Sequence, residues 1–187
     1  MSKEQDRTDG ILHAAVALFA AHGFEGTKLS AVAKRAGVAV GTIYLRYAGK
    51  AELLGAVLST VEDGFCGAMD GEDVWATPFP DRFALIMGHV MQFAAHEEAL
   101  GPLMAMAPYA VFPSGRPGDA VRAKIASHLD DGVRRGDLRP DLDIRHAAVL
   151  AHGMVEAAMI DHMIRPIRTP DAVARDLADA CRRWLCP

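Results

Sequence analysis

The sequence is poor in cysteine, and its cysteines are badly spaced for either disulfides or zinc. Only Cys66, Cys181 and Cys186 occur in 187 residues. Three cysteines, an odd number without the spacing of zinc ligands, argue against a disulfide framework and against a zinc module. So few cysteines are consistent with a protein of the reducing cytosol. Cys181 and Cys186 have poor geometry for a disulfide within one helix, so oxidant sensing by this pair remains only an alternative.

Long uninterrupted hydrophobic runs are also lacking. The apolar runs 11–21 and 99–112 are both shorter than the roughly 20 residues that span a bilayer, and Pro102 and Pro108 interrupt the second run. The segment before residue 11 mixes acids with bases, unlike a signal peptide. We therefore expect a soluble, cytoplasmic protein with no membrane partner.

Motifs of catalysis and of metal binding are scarce as well. We find no Gly-rich phosphate loop between a strand and a helix, no nucleophile turn and no convincing pair of acids. His89 and His96 lie two turns apart, and His152, Glu156 and His162 are spread along another helix, but neither set has the i, i+4 histidine pair of a helical zinc site. We expect no enzyme, no cofactor and no metal, with a metal sensor as an alternative.

The net charge of −4 conceals an uneven distribution of charge. Residues 1–50 carry seven Lys and Arg against four acids, a balance of +3, whereas the remaining residues carry thirteen against twenty, a balance of −7. A basic segment on an acidic chain indicates that one part binds nucleic acid and that the rest has another task. The hydrophobic content of 51% is sufficient for a real core.

Apolar residues recur at helical spacing almost throughout, and alternating runs of β-branched residues are rare. This pattern predicts an all-α chain of about nine helices. The predicted helices are 8–22, 29–36, 40–47, 50–65, 81–98, 117–135, 144–164 and 170–185, with a broken helical stretch near Pro102 and Pro108 and a loop or irregular connection at 69–80. We place a DNA-binding domain at 1–52 and a ligand-binding and dimerisation domain at 53–187.

Residues 29–47 have the pattern of a helix-turn-helix, the motif whose second helix enters the major groove of DNA. Gly37 suits a helix end that needs a positive φ, and Val38 offers an apolar side chain between the helices. Helical spacing turns Ile43 and Tyr47 toward the core. The side chains left facing outward are candidates for DNA contact, namely Val40, Thr42, Tyr44, Leu45 and Arg46.

Two neighbouring positions support this interpretation. Gly41 has no side chain and allows the backbone to approach a phosphate closely. Lys50 opens a helix, where the macrodipole disfavours a cation unless an anion such as a DNA phosphate lies nearby. Each residue taken singly is equally well explained as part of a solvated surface.

The N-terminal segment resembles the tetracycline-repressor-like (TetR-type) transcriptional regulators. The matching positions are Ile11, Leu12, Ala14, Ala15, Leu18, Phe19, Gly23, Phe24, Thr27, Val32, Ala33, 36–38, 41–44 and 50–54. The resemblance implies a homodimer, most often a repressor, that binds a roughly palindromic operator. It also implies release of the operator when a small molecule occupies the C-terminal domain.

The resemblance assigns roles to single residues. It implies phosphate contacts for Lys28, Ser30, Thr42, Tyr44 and Lys50, and base contacts for Val40, Leu45 and Arg46. The sequence departs from the family at Ala39, where a capping Ser is usual, and at Lys28, where Ser or Thr is usual.

The C-terminal half is less informative. Its last two helices combine small and apolar residues, which predicts a dimer interface, although an intrachain core explains them too. The many methionines suit an adaptable apolar pocket or an ordinary core. The residues that we expect to line a pocket for an unidentified and largely apolar effector are Phe65, Met87, Met91, Met104, Tyr109, His152 and Glu156. A small-molecule-binding protein or enzyme that keeps the helix-turn-helix only as scaffold is the rival interpretation.

Overall fold

The computed structural model describes residues 3–96, 99–107, 110, 118–164 and 168–186. These residues form ten α-helices and no strand, which confirms the predicted all-α class. In chain order they are α1 Lys3–Gly26, α2 Leu29–Ala36, α3 Val40–Tyr44, α4 Lys50–Ala68, α5 Glu72–Ala76, α6 Asp81–His96, α7 Leu100–Ala105, α8 Asp119–Arg135, α9 Ile144–Ile164 and α10 Pro170–Leu185.

Some helices differ from the prediction. The connection 69–80 contains α5, whose first turn carries two acids that favour a helix N-terminus. The broken stretch contains α7, because Pro102 lies in its first turn, where a missing N–H costs nothing. α3 ends at Tyr44 rather than at residue 47. The bounds of α2, α9 and α10 are those predicted.

The described residues divide into two compact units. The N-terminal unit is drawn from Met1–Val61 and Glu98–Pro117, and the C-terminal unit from Glu62–Glu97 and Gly118–Pro187. In the N-terminal unit the regular part of α1 ends at Gly23, whose φ is +69°. Phe24 then stacks on Phe19 with 6.3 Å between ring centres. The Thr27 hydroxyl lies 2.7 Å from the Gly23 carbonyl oxygen and closes this end.

The core of the N-terminal unit is supplied by α1 to α4 and by α7. Its buried residues are Ile11, Ala14, Ala15, Phe19, Val32, Ala33, Ile43, Tyr47, Leu53, Leu54, Val57, Leu58, Leu103 and Met106. Most of these positions repeat at helical spacing, so burial of the apolar stripes positions α3 on the unit.

In the C-terminal unit, α10 packs against α6 and α8 packs against α9. Five residues on one side of α10 are buried there: Ala174, Leu177, Ala178, Cys181 and Leu185. Phe65 meets Phe93 edge to face at 4.9 Å. Within the described part of the chain, no helix is both long and apolar enough to span a membrane.

Candidate nucleic-acid interface and effector cavity

The turn between α2 and α3 has the geometry that the sequence predicts. Gly37 follows α2 in the left-handed region with φ of +68°. The N–H of Val38 donates to the carbonyl of Ala33 at 3.0 Å, and that of Gly37 donates to Lys34 at 3.3 Å. These two bonds form a Schellman motif, and Val38 packs against the core of the unit. The angle at which α3 leaves the turn is therefore held by backbone bonds and by an apolar contact.

α3 is sharply divided between a buried side and an exposed one. The side chain of Ile43 is completely buried, and Tyr47 just beyond the helix is also in the core. In contrast, Tyr44 is 57% exposed and Leu45 is 88% exposed. Val40, at 37% exposure, is a third exposed large apolar side chain here, and a cluster of such side chains is typical of a surface that binds another molecule.

The other residues predicted to contact DNA lie at different degrees of exposure in this unit. Lys28, Ser30, Val40 and Gly41 are exposed, and Thr42, Arg46 and Lys50 are half-buried. A Cβ at Gly41 would meet no atom within 4 Å among the described residues, so internal packing does not require glycine there. Ala39 precedes α3 without a side-chain cap, as its sequence implies.

Two cations near α3 have acidic partners that sequence reasoning missed. The guanidinium of Arg46 lies 3.2 Å from a carboxylate oxygen of Glu4 on α1. The ammonium of Lys50 lies 3.9 Å from the Glu25 carboxylate and 4.5 Å from the centre of the Phe24 ring. An internal carboxylate thus supplies part of the negative charge near Lys50 that we expected only from DNA. The two partners of each ion pair are more than twenty residues apart in the sequence, so no local sequence pattern predicts these pairs.

The C-terminal unit contains a small apolar cavity of about 10 Å³, room for roughly one water molecule. It is lined by nine apolar residues and one histidine: Met69, Phe79, Phe83, Ile86, Met87, Ile125, His128, Leu129, Ala151 and Val155.

Of the described residues that were predicted to line a pocket, Met87 alone lines this cavity. Phe65 and Met91 are buried in the C-terminal unit without lining the cavity. His152 and Glu156 pair with each other at 4.0 Å on α9. Met104 lies on α7, in the N-terminal unit, and does not line this cavity. Tyr109 lies outside the described residues.

His128, which the prediction missed, is the one titratable side chain among the described residues that line the cavity. Its side chain is buried at 2% exposure, and the ring stacks on Trp75 with 4.0 Å between centres. Nε2 lies 2.9 Å from the carbonyl oxygen of Met69, and Nδ1 is buried with no hydrogen-bond partner among the described residues. Burial lowers the pKa of His128 to about 4, so the ring is neutral near pH 7. His128 shares the apolar face of its helix with Ile125 and Leu129, and this helical spacing is the sequence pattern from which its burial could have been predicted.

A buried ion pair stands beside the cavity. Arg82 is fully buried, and its guanidinium lies 2.7 Å from the carboxylate of Asp131. It also donates to the carbonyls of Thr77 at 2.6 Å and Trp75 at 3.1 Å. Burial works to raise the pKa of Asp131, but the bond to Arg82 and the nearby arginine charges hold it below its ordinary value. This pair joins α5, α6 and α8 around the cavity.

The last two helices differ in what they leave exposed. The apolar side of α10 packs within the C-terminal unit, mainly against α6, as the intrachain interpretation expects, and a part for α10 in the dimer interface stays a prediction. α9 instead exposes the large apolar side chains of Val149, Leu150 and Ile160. Gly153 and Ala157 are also exposed on this helix. The apolar surface available for association is therefore on α9.

The alternatives based on metal and redox chemistry find little support. Among the described residues, no group of three or more His, Cys, Asp or Glu side chains is arranged to hold a metal ion. Cys181 is buried, and burial raises the pKa of its thiol to about 12, which leaves almost no reactive thiolate.

Residues 11–57 match the model of the family described as "Bacterial regulatory proteins, tetR family". Over 161 residues the chain is 22% identical to the fatty acid metabolism regulator protein of Bacillus subtilis (strain 168), with 83% of both chains covered. The fold is similar to that of FadR from Bacillus subtilis in complex with stearoyl-CoA, with a TM-score of 0.75, 22% identity and coverage of 91% of this chain and 95% of that one.

A second solved structure with a similar fold is SmeT, the repressor of the Stenotrophomonas maltophilia multidrug efflux pump SmeDEF. The TM-score is 0.71 at 23% identity, with 97% of this chain and 93% of that one covered. The matched segment 11–57 includes the turn at Gly37 and all of α3, the helix that presents Tyr44 and Leu45. Residues 11–57 therefore belong to the tetR family of bacterial regulatory proteins, and the fold of the chain around them is similar to the folds of FadR and SmeT.

Proposed function

We propose that this regulator binds a two-fold symmetric operator as a homodimer and is released when a mainly apolar small molecule enters its C-terminal unit. The observation that carries the DNA-binding part is the division of α3. Its inner residue Ile43 is completely buried, while Leu45 is 88% exposed next to Tyr44 and the cation Arg46. A scaffold without a partner has no reason to cluster the exposed side chains of Val40, Tyr44 and Leu45 on one surface.

The proposed contacts divide into two kinds. Lys28, Ser30, Thr42, Tyr44 and Lys50 hold phosphates, with the backbone at Gly41 close to the sugar-phosphate chain, and they set the orientation of α3 on the duplex. Val40, Leu45 and Arg46 meet base edges, where the apolar side chains contact thymine methyl groups and the arginine contacts guanine. Affinity then comes from both groups, and sequence preference comes from the second.

The effector is proposed to be mainly apolar on two grounds. The cavity of the C-terminal unit is lined by nine apolar residues, including Met87, and a single histidine. A relative of similar fold was solved with stearoyl-CoA, a ligand that contains a long acyl chain. Since the cavity measures only about 10 Å³, an effector of that size requires the lining helices to move apart.

The dimer is proposed to form through α9, whose exposed side carries Val149, Leu150 and Ile160 together with Gly153. A two-fold axis brings the same face of both chains together, and glycine allows close approach of the helices. Two recognition helices must be roughly 34–36 Å apart to enter successive major grooves. An effector that binds more tightly to a conformation in which the two recognition helices have a different spacing favours that conformation. DNA affinity then falls by the difference between the free energies with which the effector binds the two conformations.

A band-shift experiment with the DNA upstream of the chain's own gene tests the proposal. The full-length protein is titrated at two salt concentrations against this DNA and a shuffled sequence of equal length, together with the variant Leu45→Asp. We expect a clear preference for the upstream DNA at both salts and a loss of that preference in the variant. Equal binding of both DNAs at either salt contradicts the proposal and favours the scaffold interpretation.

A further inference from the structure

The chemistry of the cavity is more specific than its apolar lining suggests, because one residue that lines it, His128, carries a buried ring nitrogen with an unmet hydrogen bond. His128 lines the cavity, and its side chain is 98% buried, since only 2% is exposed. Its Nδ1 is buried and has no partner among the described residues. Buried polar atoms in folded proteins nearly always have a partner, so this atom points to a ligand group.

The protonation of the ring decides which kind of group that is. Nε2 lies 2.9 Å from the carbonyl oxygen of Met69, an atom that only accepts, so Nε2 carries the hydrogen. Burial and the neighbouring cations Arg82 and Lys124 disfavour a second proton, although Asp70 acts in the opposite sense. In this neutral tautomer Nδ1 is a bare acceptor. It pairs only with a donor.

We propose that the effector is mainly apolar and presents one neutral hydrogen-bond donor, a hydroxyl or an amide N–H, to Nδ1 of His128. This inference rests on the proposed function, since it concerns the effector of the same C-terminal unit. A water molecule is able to serve the lone pair when no effector is bound. An effector that replaces the water with an apolar or acceptor-only group leaves Nδ1 unpaired and binds more weakly.

The Trp75 ring, stacked at 4.0 Å on His128, holds the imidazole in place, and the bond to Met69 fixes its rotation. The acceptor is therefore presented in one direction. A plain saturated acyl chain fills apolar space but offers no donor, whereas a hydroxylated chain satisfies both requirements. Selection between them follows from the cost of leaving a buried acceptor unpaired.

Two isomeric probes test the inference: octan-1-ol, which carries a donor, and 1-methoxyheptane, which has the same formula but only an acceptor. Binding to the full-length protein is followed by Trp75 fluorescence in a Trp184→Phe background, without DNA. The chain has two tryptophans, so this background isolates Trp75. We expect the alcohol to bind about 3- to 10-fold more tightly than the ether, the range of one neutral hydrogen bond.

Two variants separate the hydrogen bond from the shape of the cavity. In His128→Phe an aromatic ring still stacks on Trp75 but carries no acceptor, so we expect the alcohol-to-ether ratio to fall to about 1. In Met87→Ala both affinities change by a similar factor, and the ratio persists. The wild-type ratio remains decisive if His128→Phe does not fold in a thermal melt.

Equal affinity of the two isomers for the wild-type protein, or a preference that survives in His128→Phe, overturns the inference. So does the absence of saturable binding of either isomer. Failure of the proposed function is recognised separately, by equal band shifts with upstream and shuffled DNA.

Discussion

The guanidinium of Arg46, beside the recognition helix, lies 3.2 Å from the carboxylate of Glu4, 42 residues earlier in the chain. Arg46 is also the cation that we propose for contact with a guanine edge. An acid that holds this arginine in the free protein competes with DNA for it, and its negative charge also opposes the approach of phosphates.

Glu4→Gln is therefore expected to raise affinity for operator DNA by about two- to fivefold, the range of an exposed ion pair. Fluorescence anisotropy with labelled upstream DNA measures the change. Asp6→Asn removes an exposed carboxylate from the same part of α1 and serves as the control for net charge. Equal gains in the two variants would mean that charge alone, and not release of Arg46, is responsible.

Lys50 is held close to Phe24 and Glu25, so its position is set before DNA binds. We expect Lys50→Gln to lower the slope of log affinity against log salt by about 0.9, because one phosphate contact is lost. A salt titration of DNA binding measures the slope. Lys124→Gln, an equal change of charge in the C-terminal unit, should leave it unaltered. An unchanged slope in Lys50→Gln would exclude Lys50 from the interface.

Asp130 and Asp131 are adjacent on α8 and both pair with arginines, yet they differ in burial. Asp131 faces the fully buried Arg82, whereas Asp130 pairs with the exposed Arg134. Asp131→Asn leaves Arg82 without its counter-ion and should cost about 3–5 kcal/mol of unfolding free energy. Asp130→Asn should cost less than about 1 kcal/mol. Urea denaturation compares them, and similar losses would contradict a stabilising role for the buried pair.

The buried imidazole of His128 makes stability depend on pH. Its pKa is lowered by burial from 6.5 to about 4, so between these values the unfolded chain binds a proton that the folded chain does not. Stability is complete above about pH 6.5 and decreases as the pH falls toward 4, by at most about 3 kcal/mol. His152, whose pKa burial also lowers, adds a contribution of the same sign.

Urea midpoints measured at pH 7 and pH 5 test this dependence. We expect His128→Gln to lose less stability than the wild type between the two pH values, because the variant has no proton to gain at this position. If the wild type and His128→Gln lose the same stability between pH 7 and pH 5, titratable groups other than His128 cause the pH dependence.

The exposed apolar face of α9 predicts the behaviour of a matched pair of substitutions. Leu150→Glu places a charge on the proposed two-fold contact and should convert the protein to monomers, with operator affinity reduced at least about tenfold. Ala180→Glu adds the same charge to the exposed side of α10 and should leave the dimer intact. Light scattering after gel filtration gives the mass. A dimeric Leu150→Glu protein would place the interface elsewhere.

Local chemistry was sufficient to predict the helix-turn-helix. Gly37 adopts the positive φ that the turn requires, and Val38 makes the apolar contact between the helices. The spacing of Ile43 and Tyr47 identifies the side of α3 that is buried. Each of these depends on residues within a few positions of one another, so periodicity and turn chemistry determine them. The residues of α3 predicted to face outward remain predictions as DNA contacts.

The lining of the cavity in the C-terminal unit was beyond such reasoning. Methionine content pointed to Met87, which lines the cavity, but equally to Met104, which lies in the other unit. His128 was overlooked because an isolated histidine on an apolar helical face has no local signature of its partners. Those partners, Trp75 and the Met69 carbonyl, belong to segments more than fifty residues away, and only the packed chain brings them together.

The sequence by itself determined the all-α class, the ends of α2, α9 and α10, and the turn that presents α3, because hydrophobic periodicity and glycine conformations act over a few residues. Tertiary structure decided which charges pair, which histidine is buried and which helix keeps an apolar face. Arg46 finds Glu4 and α10 buries its apolar side against α6. These outcomes depend on the packing of distant segments, where burial and charge select partners that no local pattern specifies.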